Sequence, residues 1–362
     1  MNCYIHVPFC AAKCGYCAFY SEAGAGDELI DAYLDRLEQE LYFASGICET
    51  VYVGGGTPTF LDCTRLERLC ELIYRRLQID GSTELSIEAN PETLTAEKVA
   101  LLRRYFTRIS VGVQSFDAGS RKRIGRRCPQ EKLLDALELV RAAKFPHWNC
   151  DLIYSLPEQT AAMWEQDLRT AAALGVDHIS CYALTPEENS RLGATFDEDD
   201  ERETEFYQLA EEVLSEYGIH RYEISNYARS GGECRHNLNV WRGGLLQGYG
   251  PAAAGFDGFY RQIEVESLTK WLKGTAPERD EIPLSERLNE IFAVNLRTTA
   301  GWNAAAWKQV KFCDSWEDRL KIAGKLQKSF PEYLQISSGS IKLSPEGLLF
   351  WNTIAQEMIY GD

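Results

Sequence analysis

Basic side chains are under-represented in this 362-residue chain: 38 Lys and Arg stand against 54 Asp and Glu, a formal net charge of −16. Non-specific nucleic-acid binding needs cations that neutralise phosphates, so a general affinity for RNA or DNA is not expected. Long apolar runs are missing too: no stretch of about 18 or more apolar residues suggests a membrane span, so any membrane contact is expected to be transient. The chain opens Met-Asn-Cys-Tyr-Ile-His and enters a strand pattern at once, without the charged and apolar regions of a secretory leader. Its twelve cysteines have no framework spacing, which points to a reducing cytoplasm rather than a disulfide scaffold. Histidine is scarce, with five residues in all. The length exceeds one typical domain and can bury a large core.

What is present is concentrated near the N-terminus. Cys10, Cys14 and Cys17 form C-x3-C-x2-C within His-Val-Pro-Phe-Cys-Ala-Ala-Lys-Cys-Gly-Tyr-Cys-Ala-Phe. A [4Fe–4S] cluster has four irons and normally takes four thiolates. Three ligands in so short a loop, with no fourth at a fitting distance, leave one iron open to a small molecule. The chemistry that uses an open iron is reductive cleavage of S-adenosylmethionine to a carbon radical. A zinc site would want a second close pair, and neighbouring cysteines this near rarely form a disulfide without strain.

The first half alternates strand and helix. Strands are expected at 3–7, 50–53, 85–89, 108–113, 150–154 and 178–182, with helices at 29–44, 65–77, 96–105, 132–143 and 162–174. Such alternation implies parallel strands with right-handed crossovers. Six units predict an α/β fold of partial (β/α)6 barrel type over residues 1–196. An accessory α+β region is expected over 197–362. It would open with an acidic helix at 199–217 and carry another near 285–296. It would end in a small winged-helix-like unit with a hairpin at 336–343 and a last helix at 345–359. Trp302, Trp307 and Trp316 read as core.

Active residues of such barrels sit at the C-terminal ends of strands. The cluster loop follows the first strand, and Gly54-Gly55-Gly56-Thr57-Pro58 follows the second. Glu88 ends the third and Gln114 the fourth, with Arg126 a short way on; Asp151 lies in the fifth and Ala183 just after the sixth. Each suits part of S-adenosylmethionine. Glycines let backbone carbonyls approach its amine, and Glu88 adds a charged acceptor. Arg126 can fork onto its carboxylate. Gln114 and Asp151 can accept from ribose hydroxyls, and Ala183 leaves room for a flat adenine.

Several runs together resemble the oxygen-independent coproporphyrinogen III oxidase family, a branch of the radical S-adenosylmethionine enzymes. They are Tyr4 to Cys10, the glycine run with Thr57-Pro58-Thr59, Ser86-Ile87-Glu88, Gly112 to Phe116, and Asp151 to Tyr154. The resemblance implies Cys10, Cys14 and Cys17 as cluster ligands. It also implies Tyr4, Gly55, Gly56, Thr57, Glu88, Gln114, Arg126, Asp151 and Ala183 as S-adenosylmethionine contacts. Oxidases of the family carry a further cysteine where this chain has Phe19, and an extension ahead of the cluster strand that this chain does not show. Both differences point to the sister branch of haem chaperones, which bind haem and pass it to acceptor proteins. That branch shows His-Asn-x-x-Tyr-Trp; here His236-Asn237-Leu238-Asn239-Val240-Trp241 has Val240 for the tyrosine. Ala254 likewise stands where the branch tends to place a histidine. Of the five histidines, His236 is the expected haem ligand, in a polar irregular loop with Trp241 near, and Cys234 is a second candidate thiolate. The alternative is radical decarboxylation of coproporphyrinogen propionates.

Overall fold

The computed structural model describes residues 1–185 and 200–360. Strands β1 (Asn2–Val7), β2 (Thr50–Gly55), β3 (Glu84–Ala89), β4 (Arg108–Gln114), β5 (His147–Tyr154) and β6 (His178–Ala183) lie side by side in chain order, all parallel. Between them run α1 (Asp27–Leu41), α2 (Cys63–Arg76), α3 (Ala96–Tyr105), α4 (Gln130–Ala143) and α5 (Ala161–Ala173). Local chemistry sets several helix starts: Asp62, Thr95 and Thr160 each accept a backbone N–H from the first turn, satisfying donors that have no partner within the helix. In α2 the buried Leu66, Leu69, Leu72 and Ile73 recur at helical spacing and face the sheet.

The strands alternate strictly. Cys3, Ile5, Val51, Val53, Leu85, Ile87, Ile109, Val111, Cys150, Leu152 and Cys181 belong to the core shared with the helices. Their neighbours Tyr4, Tyr52, Glu88, Ser110, Asp151 and Tyr182 instead line cavities on the other face. A sheet buried under helices on both faces would be apolar throughout; this one has one apolar face and one polar one. The polar face is concave. Neighbouring strands lie about 4.8 Å apart, so Tyr52 of β2 and Tyr182 of β6 would be far apart on a flat sheet. Here they share one cavity, and Tyr182 is near enough to add to the rise in the Tyr52 pKa that burial, and then Glu88, chiefly cause.

The second half extends the same sheet at both edges. After α6 (Asp200–Ser215), β7 (His220–Arg221) and β8 (Asn226–Ala228) add antiparallel strands beside β6. A short helix α7 (Arg235–Trp241) follows. Then β9 (Leu246–Tyr249) returns to pair parallel with β1, and β10 (Ala254–Phe256), β11 (Tyr260–Ile263) and β12 (Glu278–Glu281) continue outward, antiparallel. The expected boundary between 196 and 197 lies outside the described residues.

A second apolar core forms around α8 (Leu284–Asn295), α9 (Trp316–Ser329) and α10 (Trp351–Tyr360). Trp302 and Trp307 are fully buried in it and Trp316 packs against it, as expected of core residues. The expected hairpin is there as β14 (Leu334–Ile336) and β15 (Ser340–Leu343), joined by β13 (Trp302–Asn303) into a three-stranded sheet. The last expected helix is two, Pro345–Leu349 and α10, interrupted at Phe350.

Candidate functional site

The cysteine loop leaves β1 through Phe9–Cys10, which pairs with Glu22–Ala23. Inside it, the Cys17 N–H donates to the Cys14 carbonyl at 3.4 Å, and Gly15 N–H to the Ile124 carbonyl at 3.1 Å. All three thiols are free and half-buried. Burial raises the Cys17 pKa, and the Cys14 and Cys10 charges raise it further, so the three stand in electrostatic reach of one another. The glycine loop is stitched to the same segment: Gly56 N–H donates to Val7 O at 2.9 Å and Thr57 N–H to Phe9 O at 2.7 Å. The Thr57 hydroxyl lies 3.5 Å from Cys10 Sγ. Two glycines are required here. Gly55 has φ of 104°, and a Cβ on Gly56 would stand 2.7 Å from the Phe9 carbonyl oxygen.

Beside this loop lies a cavity of about 520 Å³. It brings together Cys17, Gly55, Gly56, Thr57, Glu88, Gln114, Arg126, Asp151 and Ala183, nine residues expected at the site. Glu88 accepts from the Tyr52 hydroxyl at 2.9 Å and from the Gly55 N–H at 3.1 Å. Burial pushes its pKa up to about 7, and the Asp151 charge adds to the rise, against those two bonds. Asp151 is also raised, by burial, although Ser110 donates to Oδ2 at 2.8 Å and Asn149 to Oδ1 at 2.7 Å. Arg126 Nε donates to the Tyr16 hydroxyl at 3.2 Å, tying the cluster loop to the cavity wall. Gln114 has a φ of 70°, at a register shift between β4 and β5. Such a bulge re-aims a side chain at a strand end.

Tyr4 and His236 line a neighbouring cavity of about 390 Å³ with His6, Phe19, Tyr20, Val240, Trp241 and Ala254. Ala18 and Phe19 border both cavities. His236 is not in an irregular loop: it is the second residue of α7, and it is buried. Its backbone N–H donates to Glu84 Oε1 at 3.0 Å, which anchors the helix start against β3. The expectation for Cys234 is corrected as well. Its thiol is buried toward Glu84 at 3.8 Å, with its pKa pushed up to about 12 by burial, and it does not line the cavity.

The proton position on His236 follows from its neighbours. Asn2 Nδ2 donates to the Leu245 carbonyl at 3.0 Å, which fixes Oδ1 as the acceptor of that amide. The single hydrogen of the Thr50 hydroxyl goes to Asn2 Oδ1 at 2.9 Å. Thr50 Oγ1 must therefore accept at His236 Nδ1, 2.8 Å away. The imidazole carries its proton on Nδ1 and keeps a lone pair on Nε2. Burial lowers its pKa to about 4, so it is neutral at physiological pH. His6 is spent differently: Nε2 donates to the Tyr20 carbonyl at 2.9 Å and Nδ1 accepts from the Tyr4 hydroxyl at 3.1 Å.

Residues 4–171 match the Radical SAM superfamily. A heme chaperone HemW of Bacillus subtilis is 34% identical, covering 83% of this chain and 84% of the relative. A heme chaperone HemW of Haemophilus influenzae is 33% identical over 98% of this chain and 97% of its own. The chain belongs to the radical SAM haem-chaperone HemW family. Among solved structures, the coproporphyrinogen III oxidase HemN of Escherichia coli superposes with a TM-score of 0.85 over 99% of this chain and 90% of its own. At 22% identity that likeness concerns the fold.

Membership in the radical SAM superfamily implies a [4Fe–4S] cluster and S-adenosylmethionine, and the residues fit both. Among the described residues no three His, Cys, Asp or Glu donors converge tightly enough for a single metal ion. Three reduced thiols spread along one loop suit a polynuclear group that takes one thiol per metal. The first cavity offers carboxyls, a guanidinium and glycine backbone to a ligand that is itself zwitterionic. HemW membership favours the chaperone reading over the decarboxylating alternative. Tyr16, Tyr52, Ser110 and Tyr182 also line this cavity and were missed from sequence. The polar half of each strand's alternation was the signal that could have found Tyr52, Ser110 and Tyr182.

Proposed function

We propose that this chain is a haem chaperone that carries a [4Fe–4S] cluster on Cys10, Cys14 and Cys17, binds S-adenosylmethionine in the first cavity, takes haem in the second with His236 as its axial ligand, and passes the haem to an acceptor protein. The observation that carries the haem part is the neutral His236 imidazole, held at Nδ1 by Thr50 with its Nε2 lone pair uncommitted among the described residues. A metal-ligating histidine is held this way, its second nitrogen donating to a fixed acceptor. Val240 and Ala254 line the same cavity, so the two departures from the family pattern fall at its wall.

In the first cavity Arg126 pairs with a carboxylate, while Glu88 and the carbonyls of the glycine loop receive an ammonium. Gln114 and Asp151 take ribose hydroxyls, and Ala183 leaves space for adenine. When bound, the cluster supplies an electron and an open iron to S-adenosylmethionine. Tyr16 holds Arg126 against the cluster loop, so the cavity and the loop are set by the same contact.

Anaerobically reconstituted protein is incubated separately with haem and with coproporphyrinogen III. Stoichiometric haem uptake, without decarboxylation, is the expected result. His236→Ala should lower haem affinity and shift the Soret band while the cluster spectrum stays unchanged. Vinyl product without haem uptake would overturn the proposal in favour of the decarboxylating enzyme.

A further inference from the structure

Tyr52 stands between the two cavities and touches the key residue of each. Its hydroxyl donates to Glu88 Oε1 at 2.9 Å in the first. Its ring lies against the His236 imidazole of the second, centroids 5.1 Å apart and planes at 34°. A second aromatic contact is to Tyr4, stacked at 6.3 Å and 27°, and Tyr4 also lines the second cavity. One rigid ring therefore has its polar end in the first cavity and packs against two residues that line the second.

We infer that Tyr52 couples the two cavities, so that S-adenosylmethionine at Glu88 and haem at His236 tighten each other's binding. The inference rests on the haem-chaperone reading above. Its physical basis is a change in one hydrogen bond. Without a cation beside it, Glu88 sits in a buried site where burial and Asp151 both disfavour its charge. An ammonium placed there holds the carboxylate ionised, and the Tyr52 hydroxyl bond becomes charge-assisted, roughly twice as strong as a neutral one. A hydroxyl held harder restricts the ring that packs on His236, whose Nδ1 is already pinned by Thr50. The imidazole then loses less freedom when it takes an iron. Linkage makes the effect reciprocal: haem that fixes the imidazole and ring favours the ionised Glu88 that the ammonium needs. Typical couplings of this kind are about 5- to 150-fold.

The test uses the full, cluster-loaded protein under anaerobic conditions. Haem affinity is titrated at the Soret band with and without saturating S-adenosylmethionine, and S-adenosylmethionine affinity with and without haem. Both ratios should be equal and at least about fivefold. The same ratios are measured in Tyr52→Phe, which keeps the ring and removes the hydroxyl; they should fall to one, whatever the substitution does to either affinity alone. A second measurement needs no variant. 5′-Methylthioadenosine, which lacks the ammonium and carboxylate, should leave haem affinity unchanged in the parent. Equal haem affinity with and without S-adenosylmethionine overturns the coupling while leaving the chaperone reading intact. Coupling that survives in Tyr52→Phe, or that 5′-methylthioadenosine reproduces, overturns the role of the hydroxyl. A parent that takes up no haem overturns the chaperone reading itself, and the inference with it.

Discussion

Glu88 and Asp151, on strands that flank β4, hold two carboxyls in one cavity, and the Asp151 charge adds to what burial does to Glu88. The Glu88 carboxyl keeps its proton up to about pH 7 in the folded chain, against an ordinary value of 4.5. Between those values the folded state binds more protons than the unfolded one, so this group's contribution to stability falls as pH rises. Glu88→Gln removes that dependence. The melting temperature of the variant relative to the parent, both free of ligand, should therefore be higher at pH 8 than at pH 5. Asp151, Tyr52, the Gly55 N–H, Tyr4 and Tyr182 stand around the group in both proteins. An identical difference at the two pH values would show that Glu88 is already ionised.

Replacing Cys10, Cys14 or Cys17 with alanine should abolish the [4Fe–4S] absorbance, whereas Cys63→Ala and Cys313→Ala should leave it intact. All five thiols are half-buried and free, so exposure does not separate the two sets. Their position does: only the first three share a loop at the strand-end mouth. Full iron content in the triple variant would remove the cluster from this loop.

Arg126→Ala should weaken S-adenosylmethionine binding by about ten- to a hundredfold, corresponding to about 1.5–3 kcal/mol for a charge-assisted contact. The cluster should still assemble, because Arg126 reaches the loop through the Tyr16 hydroxyl and not through a thiol. Unchanged affinity, measured calorimetrically on cluster-loaded protein, would place the ligand's carboxylate elsewhere.

Much of this architecture was legible. The observed strands begin or end within a few residues of the expected ones; β5 starts earlier, at His147, because His147, Trp148 and Asn149 do not read as an apolar run. The strand-end residues from Gly55 to Ala183 do meet in one cavity. Other features depend on contacts distant in sequence. The partner of β1 on its outer side is β9, more than 200 residues later, and nothing in either segment's pattern names the other. The helical state of 235–241 was hidden because its anchor is Glu84, not a capping side chain of its own. Tyr52 read as one more β-former between two valines, and its role appears only where β2 is seen against Glu88 and His236.

The Thr50 contact yields the last prediction. Thr50→Val keeps the shape of the side chain and removes the oxygen that accepts from His236 Nδ1 and donates to Asn2. The buried Nδ1–H then has no acceptor, at a cost of about 1–3 kcal/mol. The imidazole can relieve this by moving its proton to Nε2, the nitrogen proposed to bind iron. Two outcomes should appear together: a lower melting temperature of the ligand-free protein, and weaker haem binding with an altered Soret band. The cluster spectrum should not change, since Thr50 lies at the start of β2 and the cysteine loop at the far end of β1. Thr50→Ser, which restores the oxygen, should recover the parent's Soret position. A Thr50→Val protein that is less stable yet binds haem with the parent's affinity and spectrum would leave Thr50 a structural role only, and would remove the tautomer argument for His236.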